Sequence, residues 1–307
     1  MINKVVFGPV ISRRFGISLG VDLSPSGKQC NFDCLYCELL GQKAQEKMEK
    51  IITLEDLIKS VHLALLENPQ IDVLTITANG EPTLYPFLYD FMKTIKPFIP
   101  KGVSTLILSN GSRFGVPSVQ DALALFDIVK FSLDGADEES FKRVDRPHKN
   151  ISLKDLLAGI KDFSSKYKGE LVAEVLLVDG INDKPKNINA IVEFLKDINV
   201  SRIDLGSVDR PPAYNVEAIS YDKLSEIAKE FKEMFVSLPH RKSSPTQMNQ
   251  KYSKDEILEF ISRRPISLDE CESIFEPQTL LLLKELYAQG DLKIKKVANL
   301  QFYTIKS

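Results

Sequence analysis

The stretch Ile71-Asp72-Val73-Leu74-Thr75-Ile76-Thr77 is a short, β-branched, largely apolar run, which predicts a buried strand. Five further runs of this kind occur, at 17–23, 103–109, 127–133, 171–178 and 202–208. Segments with helical period lie between them, at 57–66, 86–95, 118–125, 153–163, 188–195 and 223–235. Strands that alternate with helices require crossover connections. The sequence therefore predicts an α/β fold with a parallel sheet, either doubly wound or curled into a barrel.

Composition excludes several classes of protein. The chain has 307 residues and a formal net charge of −2, so no global field draws it to nucleic acid or to an anionic membrane. No apolar run approaches the ~18 residues of a membrane span, and Met1-Ile2-Asn3-Lys4 does not open a secretory signal. We expect a cytoplasmic protein without a membrane partner, and the length suits either one large domain or one large and one small domain.

The last quarter of the chain has a different pattern. Residues 237–253 are polar and rich in Pro and Ser, which predicts a linker between a domain at 1–236 and a domain at 254–307. Helical patterns at 254–263, 267–275 and 278–288 precede two strand patterns at 292–296 and 301–305, the element order of a winged helix. Val297 and Phe302 are expected to cover its core. This module has eight basic and nine acidic residues, so we expect it to dock a substrate or partner, or simply to cap the barrel, rather than to grip duplex DNA.

Three of the four cysteines, Cys30, Cys34 and Cys37, lie directly after the first predicted strand in a C-x3-C-x2-C spacing. Thiolates this close in sequence can surround one face of a metal centre and leave a fourth position open. A structural zinc site would need a fourth Cys or His nearby, whereas the histidines stand apart and Cys271 belongs to the C-terminal module. Cys271 shares a helical face with Leu268 and is predicted to be a core residue. A cluster, a zinc site and buried thiols remain the alternatives.

This spacing, with Tyr36 just before the third cysteine, resembles the defining motif of the radical S-adenosylmethionine (radical SAM) superfamily. The resemblance extends from Val6 to about Val208 and implies a partial (β/α)6 parallel barrel, here followed by the small winged-helix domain. It implies a 4Fe-4S cluster on the three cysteines, SAM as the second cofactor, and Tyr36 lying along the adenine. It also implies reduction by a low-potential donor of the flavodoxin or ferredoxin type and cleavage of SAM to a 5′-deoxyadenosyl radical.

Polar segments that follow successive strands strengthen the resemblance. Ala78-Asn79-Gly80-Glu81-Pro82-Thr83 is similar to the family's Gly-Gly-Glu-Pro segment, which implies that Asn79, Gly80, Glu81 and Pro82 receive the SAM ammonium group. Ser109-Asn110-Gly111 and Ser132-Leu133-Asp134-Gly135 resemble the Thr-Asn-Gly and Ser-Leu-Asp segments, which implies SAM contacts for Asn110, Ser132 and Asp134. Ordinary turn chemistry, including Pro82 at a first helical position, explains each segment taken alone.

Charged residues near the strands have two interpretations. Glu174 lies among apolar residues of the fifth strand, so it either binds a ligand, by resemblance the SAM ribose, or lies at an exposed edge. Five further basic residues lie near the strands: Arg13, Arg14, Arg143, Arg146 and His148. In relatives, residues at similar positions face the opening through which the substrate enters. A cluster of solvated charges is the simpler explanation.

Residues 7–22 are similar to the branch of the family related to the wyosine-base synthases, which act on transfer RNA. This chain differs because Cys271 alone is too few for the second cluster of those enzymes. The sequence favours a radical SAM enzyme that modifies a macromolecule, RNA or polypeptide, presented through the C-terminal module. The alternative is an iron-sulfur-dependent regulatory or binding protein whose winged helix contacts nucleic acid. The segments that resemble SAM-binding motifs distinguish the enzyme from the regulatory protein, because a regulator has no use for SAM. The sequence does not determine the substrate or the atom attacked.

Overall fold

All six predicted strands lie in one eight-stranded sheet of the computed structural model, which describes residues 5–12, 14–239, 249–297 and 300–306. The strands are β1 Val6–Ser12, β2 Gly16–Asp22, β3 Val73–Thr77, β4 Ser104–Ser109, β5 Ile128–Ser132, β6 Glu170–Leu177, β7 Arg202–Ser207 and β8 Val236–Ser237. They are ordered sequentially, with β1 antiparallel to β2 and every later neighbour parallel. The expectation of an α/β fold with a parallel sheet is confirmed, and the sequential order is consistent with a radical SAM barrel.

Seven helices connect or flank these strands within the described residues. They are α1 Leu54–Glu67, α2 Leu88–Ile95, α3 Pro117–Leu123, α4 Glu138–Val144, α5 Leu153–Lys166, α6 Pro185–Lys196 and α7 Tyr221–Ala228. Side-chain caps fix where the two longest begin, because Thr53 accepts from the Asp56 amide and Ser152 accepts from the Asp155 amide. Helix α4 was not predicted, since Phe141 and Val144 are its only buried apolar residues and are too few to show a clear period.

Successive residues of each strand point to opposite faces of the sheet, one toward the hydrophobic core and the next toward a cavity. In β3, Leu74 and Ile76 are fully buried in the main hydrophobic cluster, whereas the alternate residues Thr75 and Thr77 line the cavity inside the sheet. The same alternation in β5 places Lys130 and Ser132 on the cavity. Apolar residues therefore pack under the helices, and polar residues of the same strands line the cavity.

The two edges of the sheet differ from the prediction. β1 was not predicted, because Gly8 and Pro9 interrupt its apolar pattern, and its register with β2 shifts between Phe7 and Val10. β8 pairs with β7 and contains Ser237, so the predicted linker starts within the sheet. Arg13 and most of that linker, residues 240–248, lie outside the described residues.

The C-terminal module contains α8 Lys254–Arg263, β9 Ile266–Ser267, α9 Leu268–Ile274, α10 Pro277–Gln289, β10 Leu292–Val297 and β11 Leu300–Ile305. The three strands form an antiparallel sheet in the order β10, β11, β9. This element order is the expected one, while the assignment as a winged helix stays a prediction. Cys271 is 2% exposed within the module's own hydrophobic cluster and is a core residue, as predicted.

The module also packs against the large sheet. Val10 of β1 belongs to the module's hydrophobic cluster, and the Gln250 side chain donates to the Pro9 carbonyl at 3.0 Å. Phe302 is buried, but neither it nor Val297 belongs to the module's hydrophobic cluster, so the prediction that they cover its core is wrong; Tyr303 of the same hairpin lies there instead. Val297 packs in a small separate cluster. None of the helices that the structure describes has the length and apolar character needed to cross a membrane.

Candidate cofactor site

A cavity of about 580 Å³ lies inside the parallel sheet and brings together most of the residues predicted from sequence. Its walls include the three cysteines and seven of the predicted SAM contacts: Cys30, Cys34, Cys37, Tyr36, Asn79, Gly80, Glu81, Asn110, Ser132 and Glu174. Pro82 and Asp134 are not on its wall; both are buried behind it. A cavity of this size and mixed lining is typical of a site for a small molecule or cofactor.

The loop that carries the cysteines is fixed by Gln29, which is almost completely buried. Its backbone N–H donates to the Asn79 carbonyl at 2.7 Å, and its carbonyl accepts from the Glu81 N–H at 3.1 Å. Its side-chain oxygen accepts from the Glu49 and Lys50 amides, at 2.7 and 2.8 Å. Cys30 therefore follows a residue whose backbone and side chain are both fixed by hydrogen bonds.

Asparagine side chains fix the loop from the other side. Asn110, at the end of β4, donates to the Asn31 side-chain oxygen at 2.8 Å and lies 3.9 Å from the Cys30 sulfur. Asn31 donates in turn to the Ser112 hydroxyl at 2.8 Å. Asn110 thus acts on the cysteine loop, a position that the resemblance alone did not specify.

The donor set fits an iron-sulfur cluster, because the three candidate ligands are all cysteine thiols and lie on one cavity wall. Among the described residues, no three His, Cys, Asp or Glu side chains are grouped so that they could hold one ion. Burial raises the pKa of the Cys30 thiol to about 12, and such a thiol ionises only when a positive centre binds it.

Tyr36 is anchored by Asp134. Its hydroxyl donates to the Asp134 carboxylate, whose other oxygen accepts from the Leu176 N–H at 2.6 Å. Burial raises the pKa of Asp134 to about 7, although these hydrogen bonds favour its ionised form. Asp134 therefore supports the cavity wall through Tyr36 and the end of β6.

Glu81 holds together the ends of β3 and β4. One carboxylate oxygen accepts from the Thr83 amide, the Thr83 hydroxyl and the Ser109 hydroxyl, at 3.0, 2.6 and 2.8 Å, and the other accepts from the Asn110 amide at 2.7 Å. Its carboxylate is thus saturated by protein donors and acts by shaping the turn. Pro82 begins a short 3-10 helix at 82–84, as the turn interpretation of this segment expected.

Glu174 lies on β6, a central strand and not a sheet edge, and its side chain is 37% exposed. Its carboxylate lies on the cavity wall, 2.5 Å from the Lys130 ammonium, and Lys130 lies 3.1 Å from Asp204 on β7. Asp204 is fully buried and also pairs with Arg14 at 3.0 Å and Arg202 at 2.8 Å. A charged network therefore crosses the interior of the sheet from β5 to β7.

Of the five basic residues that sequence singled out near the strands, four are described and one of these lies on the cavity. Arg14 is on its wall, whereas Arg143, Arg146 and His148 are not. Arg146 pairs with Asp33 of the cysteine loop at 3.0 Å and stacks over the Tyr214 ring at 4.6 Å, so it supports the loop. Arg13, the fifth residue, lies outside the described residues.

The C-terminal module contributes to the same cavity. Arg263 and Arg264, at the end of α8, are on its wall together with Arg210, which follows β7. Arg264 contacts Glu270 at 2.7 Å, and Arg210 contacts Glu38, the residue after Cys37, at 3.1 Å. Sequence reasoning missed this contribution, since nothing in a linear pattern shows which helix end reaches the barrel.

Sequence reasoning also missed Lys28, Lys130, Asp22 and Asp204, all on the cavity wall. A signal was present for three of them. Lys130, Asp22 and Asp204 are charged residues inside otherwise apolar strands, where burial is costly without a partner or ligand. Lys28 lies in a loop and gives no such signal.

Comparisons with known proteins agree with this geometry. A protein-family model described as the radical SAM superfamily matches residues 24–206. The chain is 51% identical over 301 residues to the UPF0026 protein of Helicobacter pylori strain J99, and the match covers 97% of each chain.

Two solved structures share the fold of the large sheet. TYW1 with a lysine-pyruvate adduct bound is 21% identical, with a TM-score of 0.51 over 70% of this chain and 73% of that one. A radical SAM methyltransferase from Sphaerobacter thermophilus is 14% identical, with a TM-score of 0.54 over 72% of this chain and 66% of that one. At these identities the likeness concerns the fold alone.

Proposed function

Because the chain belongs to the radical SAM superfamily and, within it, to the UPF0026 proteins, we propose that it is an enzyme that cleaves SAM reductively to a 5′-deoxyadenosyl radical. Enzymes of this superfamily bind a 4Fe-4S cluster and SAM, so the two predicted cofactors agree with the family. One observation carries the proposal: the three cysteines and seven of the nine residues expected to bind SAM line one cavity. These residues come from segments spread over most of the large sheet, and a shared ligand explains why they line the same cavity.

In this proposal the chain holds its cofactors with distinct groups. Cys30, Cys34 and Cys37 ligate the cluster, and the turn at Asn79 and Gly80 receives the amino-acid part of SAM. Ser132 and Glu174, adjacent in the register of β5 and β6, face the ribose. When bound, the cluster would supply a low-potential electron for cleavage of SAM, while the residues would orient SAM and exclude water around it.

We assign Glu81, Asn110, Pro82 and Asp134 a different contribution. They shape the site through other residues, because their polar side chains bond protein groups or, for Pro82, because it begins a turn. Tyr36 reaches the cavity in an orientation fixed by Asp134, which suits a ring that lies along the adenine. Substitution of these residues is expected to disturb SAM binding through displaced neighbours.

For the substrate we propose a macromolecule, RNA or polypeptide, that approaches at the C-terminal module. Support comes from Arg263 and Arg264, which extend from this module onto the cavity wall. A low-potential donor of the flavodoxin or ferredoxin type would supply the electron. The regulatory alternative is not favoured, since a sensor has no need of a SAM-sized cavity beside its cysteines, and the module's nine acidic and eight basic residues do not suit strong binding of nucleic acid.

Anaerobic reconstitution with iron and sulfide, followed by reduction with dithionite in the presence of SAM, tests the proposal. We expect about four irons per chain and release of 5′-deoxyadenosine and methionine. Cys34→Ala should lose both iron and product. Cys271→Ala is the matched control, because Cys271 is buried in the other hydrophobic cluster and should leave both unchanged. A wild-type protein that binds iron but no SAM would refute the proposal, as would equal iron loss in the two variants.

A further inference from the structure

Lys28 is a buried cation on the cavity wall that carries the three cysteines. Its side chain is only 7% exposed, and its ammonium nitrogen has no hydrogen-bond partner among the described residues. The nearest carboxylate oxygen, on Asp33, is 3.6 Å away, which permits attraction but is too long for a hydrogen bond. A buried ammonium group without an acceptor is costly, so its position needs a source of negative charge.

The backbone holds this ammonium group in place. Gln45 donates from its side chain to the Lys28 carbonyl at 3.2 Å, and the next residue is Gln29, fixed on backbone and side chain as described above. Lys28 therefore lies two positions before Cys30 on a segment that has little freedom to move. Its side chain is placed by this segment and not by a salt bridge at the surface.

Asp33 is the carboxylate nearest to Lys28, but its charge is shared with other groups. It pairs with Arg146 and accepts from the Tyr214 hydroxyl at 2.7 Å. The sulfurs of the cysteines on the same cavity wall, which would carry negative charge when they ligate a cluster, are the remaining partners for the Lys28 ammonium group.

We propose that Lys28 sets the reduction potential of the cluster, because its fixed positive charge favours the reduced form, which carries one more electron. This inference rests on the proposed function, since it requires the cluster on Cys30, Cys34 and Cys37. The step concerned is a one-electron reduction by an external low-potential donor, and no bond or proton changes in it. Net charge and nearby cations are known determinants of cluster potential, and a low local dielectric strengthens their effect. Lys28 is a tuning residue and not a catalytic one.

Potentiometric titration of the reconstituted full chain, followed by the EPR signal of the reduced cluster, tests the proposal. Lys28→Gln and Lys28→Met remove the charge and should both move the midpoint potential to a more negative value. Lys28→Arg keeps the charge and should stay near the wild type. Lys43→Gln is the matched control, because Lys43 lies in the same loop but is exposed, where solvent screens its charge.

Each outcome decides the question. An unchanged potential in a neutral variant with full iron content would overturn the proposal. A shift that appears only when SAM is present would also overturn it, because Lys28 would then act on SAM. If neither neutral variant assembled a cluster while Lys28→Arg did, Lys28 would be an assembly residue instead. A wild-type chain without a cluster would refute the proposed function itself, whereas a clustered wild type with unshifted neutral variants would refute only the role of Lys28.

Discussion

Substitution of Gly80 by Ala tests whether the turn after β3 positions the cysteine loop. Gly80 has a φ of +138°, and a Cβ built on it lies 1.9 Å from the Gln29 carbonyl oxygen and 2.3 Å from the Gln29 carbonyl carbon. Backbone atoms cannot rotate away as a flexible side chain does, so the loop itself must shift. Gly27 offers a matched control, because its φ of +137° is nearly the same and an added Cβ meets nothing within 4 Å.

The expected magnitudes follow from these contacts. Both substitutions place an L-residue in a backbone conformation that glycine favours, which lowers the free energy of unfolding by about 1 to 3 kcal/mol. Gly80→Ala also displaces Gln29, whose N–H bonds the Asn79 carbonyl at 2.7 Å and whose carbonyl bonds the Glu81 N–H at 3.1 Å. Loss of two hydrogen bonds at about 0.5 to 1.5 kcal/mol each makes Gly80→Ala less stable than Gly27→Ala by about 1 to 3 kcal/mol.

Urea denaturation of the full chain measures the free energies of unfolding, and iron content after reconstitution measures the state of the loop. We expect Gly27→Ala to keep nearly the iron content of the wild type and Gly80→Ala to lose most of it, since Cys30 follows Gln29 directly. Equal free energies of unfolding and equal iron content in the two variants would refute the reasoning. The bridge between Gln29 and Gly80 would then not control the loop.

Two further predictions concern pH. Burial raises the pKa of Asp134 to about 7, so the folded state holds this proton more tightly than the unfolded state, and stability is lost as pH rises from about 4 through about 7. Asp134→Asn should reduce that decrease in urea denaturation at pH 5 and 7.5, and an unchanged slope would contradict the assignment. Burial opposes ionisation of Glu270, but Arg264 and Arg210 lower its pKa to about 2, so its contribution is present above about pH 4.5 and lost as pH falls toward 2. Glu270→Gln should cost about 1.5 to 3 kcal/mol at pH 7 and less at pH 3, whereas an equal cost at both pH values would show that the charge is not responsible.

Local patterns in the sequence were sufficient for most of the fold. Each strand from β2 to β7 is a short apolar run between turn residues, and each long helix has a period that does not depend on its partners, as for 71–77 and 153–163. The four elements that were missed have local causes as well. Gly8 and Pro9 interrupt β1, α4 has only two buried apolar residues, and β8 and β9 have two residues each, so none of them shows a regular pattern.

The cysteine triplet could also be recognised from sequence alone, because three thiols proposed to ligate one centre within eight residues are a local arrangement. The segments after β3, β4 and β5 could be predicted as neighbours for a general reason. Parallel strands bring their carboxyl ends to one edge of a sheet, so residues such as Gly80 and Ser132 share one cavity wall.

Tertiary structure decided the parts that depend on contacts between distant segments. No local sequence pattern shows that the Glu81 carboxylate accepts hydrogen bonds from Thr83, Ser109 and Asn110. The same holds for the ion pair between Glu174 on β6 and Lys130 on the adjacent strand β5. The same is true of Lys28 beside the cysteines and of Arg264 at the cavity. Whether a charged side chain binds a ligand or a neighbour depends on where other segments place their own charges, and that follows only from packing of the whole chain.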